Sequence, residues 1–175
     1  MSDLLAIRPA GSGPGIASAL AEVLVDCVEG GASLGFMRPL DRERAEEHWA
    51  ATLESASRGE RAVLVAEEPA SGAVLGTVQV ILATPENQPH RGEISKLLVH
   101  RRARGRGVGE DLMRAAEQVA IEAGKTLLVL DTASTCAERL YDRLGWQRVG
   151  TIPRFALGPA GGFVGTVVFY KELPG

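Results

Sequence analysis

The chain has 175 residues, enough for one domain, residues 1–175, with a substantial core and too few for a second of ordinary size. A charged fraction of 23% and a net charge of -3 leave no block of like charge for a disordered arm and argue against general nucleic-acid binding. No apolar run approaches the roughly 18 residues that cross a bilayer, and no basic and apolar leader is written at the start, so the cytoplasm is the expected location and no membrane the expected partner.

Leu4 to Ile7 reads as a short opening strand, followed by the breaker-rich stretch Ala10 to Gly15. Ile16, Leu20, Val23, Leu24 and Cys27 recur at helical spacing up to the stop Gly30-Gly31. After a loop with Phe36 and Pro39, Asp41 is placed to cap a second helix, in which charged residues surround Ala45, Trp49 and Leu53 as a solvated face. Ala62–Ala66 and Val74–Leu82, joined by a turn at Ala70–Gly72, predict a hairpin. A strand from Glu93 to Val99 comes next. Beyond an arginine-rich turn, Val108, Leu112, Ala116, Val119 and Ala123 mark one face of a helix that Gly124 ends. Thr126 to Leu130 is continuously apolar, as a strand buried on both faces would be. Ala137, Leu140, Tyr141 and Leu144 define a last helix stopped at Gly145, and strands follow around Gln147–Ile152 and Gly165–Lys171. The order is mixed α/β, antiparallel at first, with one strand-helix-strand crossover in the middle.

The turn reads His100-Arg101-Arg102-Ala103-Arg104-Gly105-Arg106-Gly107-Val108-Gly109. Glycines let a ligand approach the backbone, a helix N-terminus offers unpaired N–H groups, and arginines supply forked donors, so the combination suits a pyrophosphate. A Walker pattern is absent. The dinucleotide fingerprint fails because Glu110 holds the third glycine position and five residues, 100 to 104, separate the strand end from Gly105.

Arg102-Ala103-Arg104-Gly105-Arg106-Gly107 matches the Q/R-x-x-G-x-G/A signature of the GNAT N-acetyltransferases in a strand-turn-helix setting, and the chain resembles that family. Ser134-Thr135-Cys136-Ala137 through Tyr141 to Gly145-Trp146 resembles the family's N-x-x-A-x-x-x-Y-x-x-x-G-F pattern, with Ser134 in place of the usual asparagine. The resemblance implies an α/β GNAT fold with a mixed central sheet of about six to seven strands and about four flanking helices. It implies acetyl-CoA as cosubstrate and no metal, with the backbone near Leu98 and Val99 on the pantetheine arm. Arg102 and the amides from Arg104 through Gly105, Arg106, Gly107 and Val108 to Gly109 would hold the pyrophosphate, and Ser134 would face the pantetheine amides.

Acetyl transfer needs a neutral amine, and alkyl amines arrive protonated, with a pKa near 10.4, so a base is required. Glu93 is the first candidate, matching the family glutamate that works through water; Ser95, Leu97 and Val99 would share its strand face. Asp131 is the second candidate, competing with a role as N-cap of the next helix. Tyr141 matches the tyrosine that returns a proton to the departing thiolate. Cys27 and Cys136 read as two reduced, buried thiols, and His48, His90 and His100 as surface or loop residues.

The loop Gly30-Gly31-Ala32-Ser33-Leu34-Gly35-Phe36-Met37 resembles the branch of this family that confers resistance to tabtoxin, a β-lactam amino-acid toxin. That resemblance implies a small amine substrate, with Ser33 and Phe36 near the acceptor. Acceptors that are protein N-termini or polyamines, and a non-catalytic acyl-CoA sensor, stay open, as do monomer and homodimer.

Overall fold

In the computed structural model, which describes residues 5–175, the elements run β1 (Ala6–Pro9), α1 (Ile16–Glu29), α2 (Arg42–Ser57), β2 (Arg61–Glu67), β3 (Val74–Ile81) and β4 (Arg91–Val99). A short 3-10 turn (Arg101–Ala103) leads to α3 (Val108–Glu122), β5 (Leu127–Thr132), α4 (Thr135–Arg143), β6 (Gln147–Leu157) and β7 (Phe163–Glu172). The strands form one mixed sheet in the order β1-β2-β3-β4-β5-β7-β6, antiparallel throughout except between β4 and β5. The expected α/β sheet and helix number are both present.

The helices form where periodicity and capping agree. In α1, Leu20, Val23, Leu24 and Cys27 are buried, and the chain leaves through Gly31 at φ 96°, a left-handed angle that glycine adopts without cost. The Asp41 carboxylate accepts the Arg44 N–H at 2.8 Å and so caps α2, as its position predicts. Ala45 and Trp49 turn inward from the charged surface of α2. Two apolar layers result. One, between α1, α2 and the sheet, contains Leu20, Leu24, Trp49, Val63, Val65 and Leu98; the other, under α3 and α4, contains Val78, Val80, Ile94, Leu112, Leu128, Tyr141 and Phe169.

Three expectations need correction. The opening strand lies at Ala6–Pro9, later than Leu4–Ile7, and Leu4 falls outside the described residues. Strand β5 is buried on one face only: Leu128 and Leu130 point into the α3/α4 layer, whereas Leu127 and Val129 are half-buried and Asp131 is exposed. The reason is coverage. Helix α1 packs on β3 and β4, and α2 on β2, so the helices of that side lie mainly over the strands before β5. Strand β6 runs to Leu157, past Pro153, because an edge strand tolerates a missing N–H and absorbs it in a bulge, here with Arg154 at φ 54°. Of the C-terminal apolar residues, Val167 and Phe169 enter the core; Val149, Phe155 and Phe163 are exposed.

Candidate active site

Strands β4 and β5 pair only from Arg91, Gly92 and Glu93 to Leu127, Leu128 and Val129. Beyond Glu93, β4 stays bound to β3 as far as Val99, and β5 stays bound to β7 as far as Thr132. The two strands therefore part, and main-chain groups on their facing edges have no ladder partner, a condition that calls for a ligand or water. The cause is local. Ser95 pairs with Gln79 and Leu98 with Thr77, three steps along β4 against two along β3, so one extra residue is inserted; Lys96 takes the strain at φ 52°.

The inserted residue also reverses the strand's faces. Ile94 belongs to the α3/α4 layer, Leu98 to the α1/α2 layer, and Leu97 and Val99 to the α3/α4 layer again. Glu93 and Ser95, which alternate with Ile94, thus face the α1/α2 side. The expectation that Glu93, Ser95, Leu97 and Val99 share one face is corrected by the bulge.

After Val99, the His100 N–H donates to the Leu75 carbonyl at 2.8 Å. Asp26 of α1 then fastens the turn, accepting the Arg101 N–H at 2.8 Å and its Nε at 2.9 Å. Burial raises the Asp26 pKa, but the two Arg101 hydrogen bonds and the nearby His100 and Arg101 charges outweigh it and leave the carboxyl below its ordinary value. Gly105 (φ 75°) and Gly107 (φ 80°) are left-handed, and an added Cβ would meet nothing at either, so the backbone angle alone selects glycine there. At Gly109 the reason is crowding: a Cβ would lie 3.3 Å from Leu140 Cδ2, so the missing side chain lets α3 approach α4.

The first helical bond of α3 runs from the Asp111 N–H to the Gly107 carbonyl, which leaves the amides of Val108, Gly109 and Glu110 ahead of it, pointing out of the helix start. Arg102, Arg104 and Arg106 are exposed around them. Arg104 differs from expectation in detail: its N–H donates back to the Arg101 carbonyl at 3.4 Å and its Nε to the Val99 carbonyl at 3.2 Å, where the Cys27 thiol also points, 3.6 Å away. It ties the turn to the strand. An open anion cradle at the head of α3, adjoining a gap in a parallel strand pair, fits a pyrophosphate with a thiol-bearing, amide-containing arm.

Two titratable side chains, Tyr141 and Asp131, lie close enough for the charge of one to act on the other. Tyr141 is buried, its ring centroid 5.6 Å from Phe169 and 5.9 Å from Trp146. Burial, and then the charge of Asp131, push its phenol well above the ordinary range and keep it protonated. Asp131 is exposed and accepts the Thr166 hydroxyl at 2.6 Å. It does not cap α4. Ser134 does, accepting the Ala137 N–H at 3.2 Å, so one lone pair of the expected pantetheine contact is already used. Glu93 pairs with Arg91, whose Nε is also held by Gln88.

On the helix-covered side, Ser33 and Phe36 are half-buried in the loop after α1. The Phe36 ring meets His48 edge-on at 5.2 Å. His48 is therefore no surface residue: it packs between Phe36 and Trp49, its Nε2 is buried without a partner, and burial and then the charges of Lys96 and Arg61 lower its pKa. His100 is equally fixed, since its Nδ1 accepts the Arg102 N–H. Of the thiols, Cys27 is buried as expected, with its pKa raised chiefly by that burial, but Cys136 is exposed. Among the described residues no group of three or more His, Cys, Asp or Glu is arranged to hold a metal ion.

A parallel strand pair that parts beside a glycine-cradled helix start suits an acyl-coenzyme A enzyme. Residues 34–146 match the family model described as the acetyltransferase (GNAT) family, and the chain belongs to that family. It is an acetyl-CoA-dependent N-acetyltransferase. A ribosomal-protein-alanine N-acetyltransferase from Brucella melitensis shares 27% identity, covering 97% of this chain and 100% of that one at a TM-score of 0.78. A GCN5-related N-acetyltransferase from Kribbella flavida shares 26%, covering 99% and 100% at 0.80. A phosphinothricin acetyltransferase from Sinorhizobium meliloti in complex with acetyl-CoA, 19% identical over 99% and 89%, has the same fold at 0.80.

The residues missed from sequence are Lys96, Arg61 and His48. Lys96 left a signal, a lysine inside an otherwise apolar strand segment; Arg61 and His48 left none that separates them from solvated charges.

Proposed function

We propose that this enzyme acetylates the amine of a small molecule by direct transfer within a ternary complex, as a single-domain cytoplasmic protein. The observation that carries the reading is the position of Asp131. It stands at the parted end of β5, exposed, its charge felt by Tyr141 and by Lys96. Acetyl-CoA, when bound, supplies an activated thioester. Val108, Gly109 and Arg102 would hold its pyrophosphate, with Gly105 and Gly107 shaping the turn and Arg104 and Arg106 beside it; the edges at Leu98, Val99 and Ser134 would hold its arm.

Of the two carboxylates, we assign the base to Asp131 ahead of Glu93. The Glu93 carboxylate is engaged by Arg91, whereas Asp131 has one oxygen on a neutral hydroxyl and faces the open side. Tyr141 is the acid, a phenol kept protonated at every working pH. Direct transfer is supported by the thiols: Cys27 is buried with its proton held, and Cys136 lies on the outer surface of α4.

The finer reading is resistance to a β-lactam amino-acid toxin such as tabtoxin, on the likeness of the loop Gly30 to Met37, with Ser33 and Phe36 beside the acceptor. Polyamines suit the site poorly, because Arg61 and Lys96 repel a second cation. Peptide N-termini are the rival acceptors. A thiol-release assay with acetyl-CoA against amino acids, β-lactam amino acids, polyamines, aminoglycosides and peptide N-termini decides among them. Turnover on small amines is the expected result; acetyl-CoA binding with no turnover on any acceptor would establish a sensor instead.

A further inference from the structure

We propose that Arg61 and Lys96, with His48 beside them, seat the carboxylate of the acceptor, so that the substrate of this acetyltransferase is an amino acid bound as a zwitterion. The inference rests on the acetyl-transfer reading above and adds the substrate class.

Arg61 begins β2 on the α1/α2 side of the sheet, in step with Val63 and Val65 of that apolar layer. Its guanidinium is fixed from two directions, with Nε donating to the Ser55 hydroxyl at 3.0 Å and Nη1 to the Gln79 side-chain oxygen at 2.8 Å. Gln79 is itself buried, and it pairs with Ser95, next to the bulge. Both partners are neutral. Glu60, the acid whose charge reaches Arg61, is taken by Arg58 and by the Ser55 hydroxyl, and no described carboxylate lies within ion-pair distance of Arg61.

Lys96 is the residue the bulge re-aims. A left-handed lysine costs about 1 kcal/mol or more and persists where the surroundings require it. Its side chain is half-buried and makes no hydrogen bond or ion pair with a described residue. Its charge is felt by His48 and meets the charges of Arg61 and Asp131. His48 adds a buried Nε2 with no partner, roofed by Phe36.

Two half-buried cations with no carboxylate of a described residue at ion-pair distance, beside a buried imidazole nitrogen without a hydrogen-bond partner among the described residues, make an arrangement that a ligand anion would complete. Across the same face stands Asp131, with opposite charge, at the gap where the acetyl group would arrive. The polarity therefore runs from positive under α2 to negative at β5. A zwitterion matches it, its carboxylate on Arg61 and Lys96 and its ammonium turned to Asp131. A carboxylate is selected over a neutral acceptor because only the former relieves the unpaired charges.

The test uses the parent enzyme with matched acceptors: the proteinogenic amino acids, β-lactam amino acids, their carboxamides and the decarboxylated amines. Expected is kcat/KM for the best free acid about 10- to 100-fold above its amide and amine, carried in KM, as for hydrogen bonds to a charged group. Lys96→Gln and Arg61→Gln should each remove most of that preference by raising KM for the acid more than KM for the amide, and Lys96→Arg should restore part of it. Calorimetric titration of the same pairs into the coenzyme A-loaded protein gives a second readout that needs no turnover and no variant. Acetylation of amides and amines as efficient as that of the acids would overturn the carboxylate seat while leaving acetyl transfer intact. Amino acids that neither bind nor react in either format would overturn it as well.

Discussion

Removing one oxygen from Tyr141 separates catalysis from stability. In Tyr141→Phe the ring keeps its contacts with Phe169 and Trp146, so the packing of a buried aromatic is preserved. The hydroxyl that is lost makes no hydrogen bond to a described residue and is not among the buried polar atoms left unpartnered, so its removal breaks no internal bond and relieves no buried one. The variant should therefore keep the parent's stability, with a melting temperature close to it. Turnover should behave in the opposite way. A positioned general acid contributes about 10²- to 10⁴-fold, or roughly 3–5 kcal/mol of barrier. Because burial and Asp131 hold the phenol above its ordinary range, the parent should show no alkaline loss of activity from this group below pH 10. Single-turnover thiol release, paired with a thermal melt of each protein, measures both quantities. Turnover within about threefold of the parent would remove Tyr141 from the acid role; a large fall in melting temperature would refute the account of its burial.

The carboxylates divide by turnover. Asp131→Asn should lower kcat/KM about 10²-fold or more, and Glu93→Gln should lower it less; the reverse pattern returns the base to Glu93. Gly76→Ala places a Cβ 3.1 Å from Leu112 Cδ1, the Leu98 carbonyl and Val108 Cγ1, and should cost about 1–3 kcal/mol in urea unfolding at constant m, unlike an exposed strand glycine. At Asp26 the folded pKa lies below the ordinary carboxylate value of 3.8, so its stabilisation is full well above that value and is lost as pH falls through the folded one. The urea midpoint should thus fall below about pH 4 more steeply in the parent than in Asp26→Asn. The same variant should raise KM for acetyl-CoA about 10-fold by loosening Arg101, and an unchanged KM would show that the turn does not need its anchor.

Helices were legible because their signals are local. The stripe through Leu20, Val23, Leu24 and Cys27, the cap at Asp41 and the glycines after α1 and α3 each act within one or two turns of chain. The glycine turn was legible for the same reason, since Gly105, Gly107 and the start of α3 are contiguous. What could not be read depends on register between strands. Nothing in Ser95-Lys96-Leu97 marks an inserted residue, as neither glycine nor proline stands there, and the face reversal follows only from the pairing with Gln79 and Thr77. The covering of β5 was misread because an apolar strand under one helix layer and one under two have similar compositions. His48 was hidden by its neighbours: in a helix rich in Arg and Glu, one inward imidazole does not disturb the charged pattern.

One structural event links the coenzyme end of the site to the acceptor end. The extra residue at Lys96 bends β4 away from β5 and so opens the edges that suit a pantetheine arm. In the same step it puts Leu97 and Val99 against the α3 layer, which seats the glycine turn, and leaves a lysine on the side facing α2. A strand without the inserted residue would keep Leu97 on the face of Ile94 and Leu98 on the other, and would pair with β5 past Glu93, closing the gap. Cofactor site and substrate charge are therefore not independent inventions of this chain. Deleting Lys96 should lose both at once, whereas Lys96→Gln keeps the gap and loses only the charge; acetyl-CoA affinity, measured by calorimetry, distinguishes the two. Equal acetyl-CoA binding by the deletion and the parent would show that the strands part for some other reason.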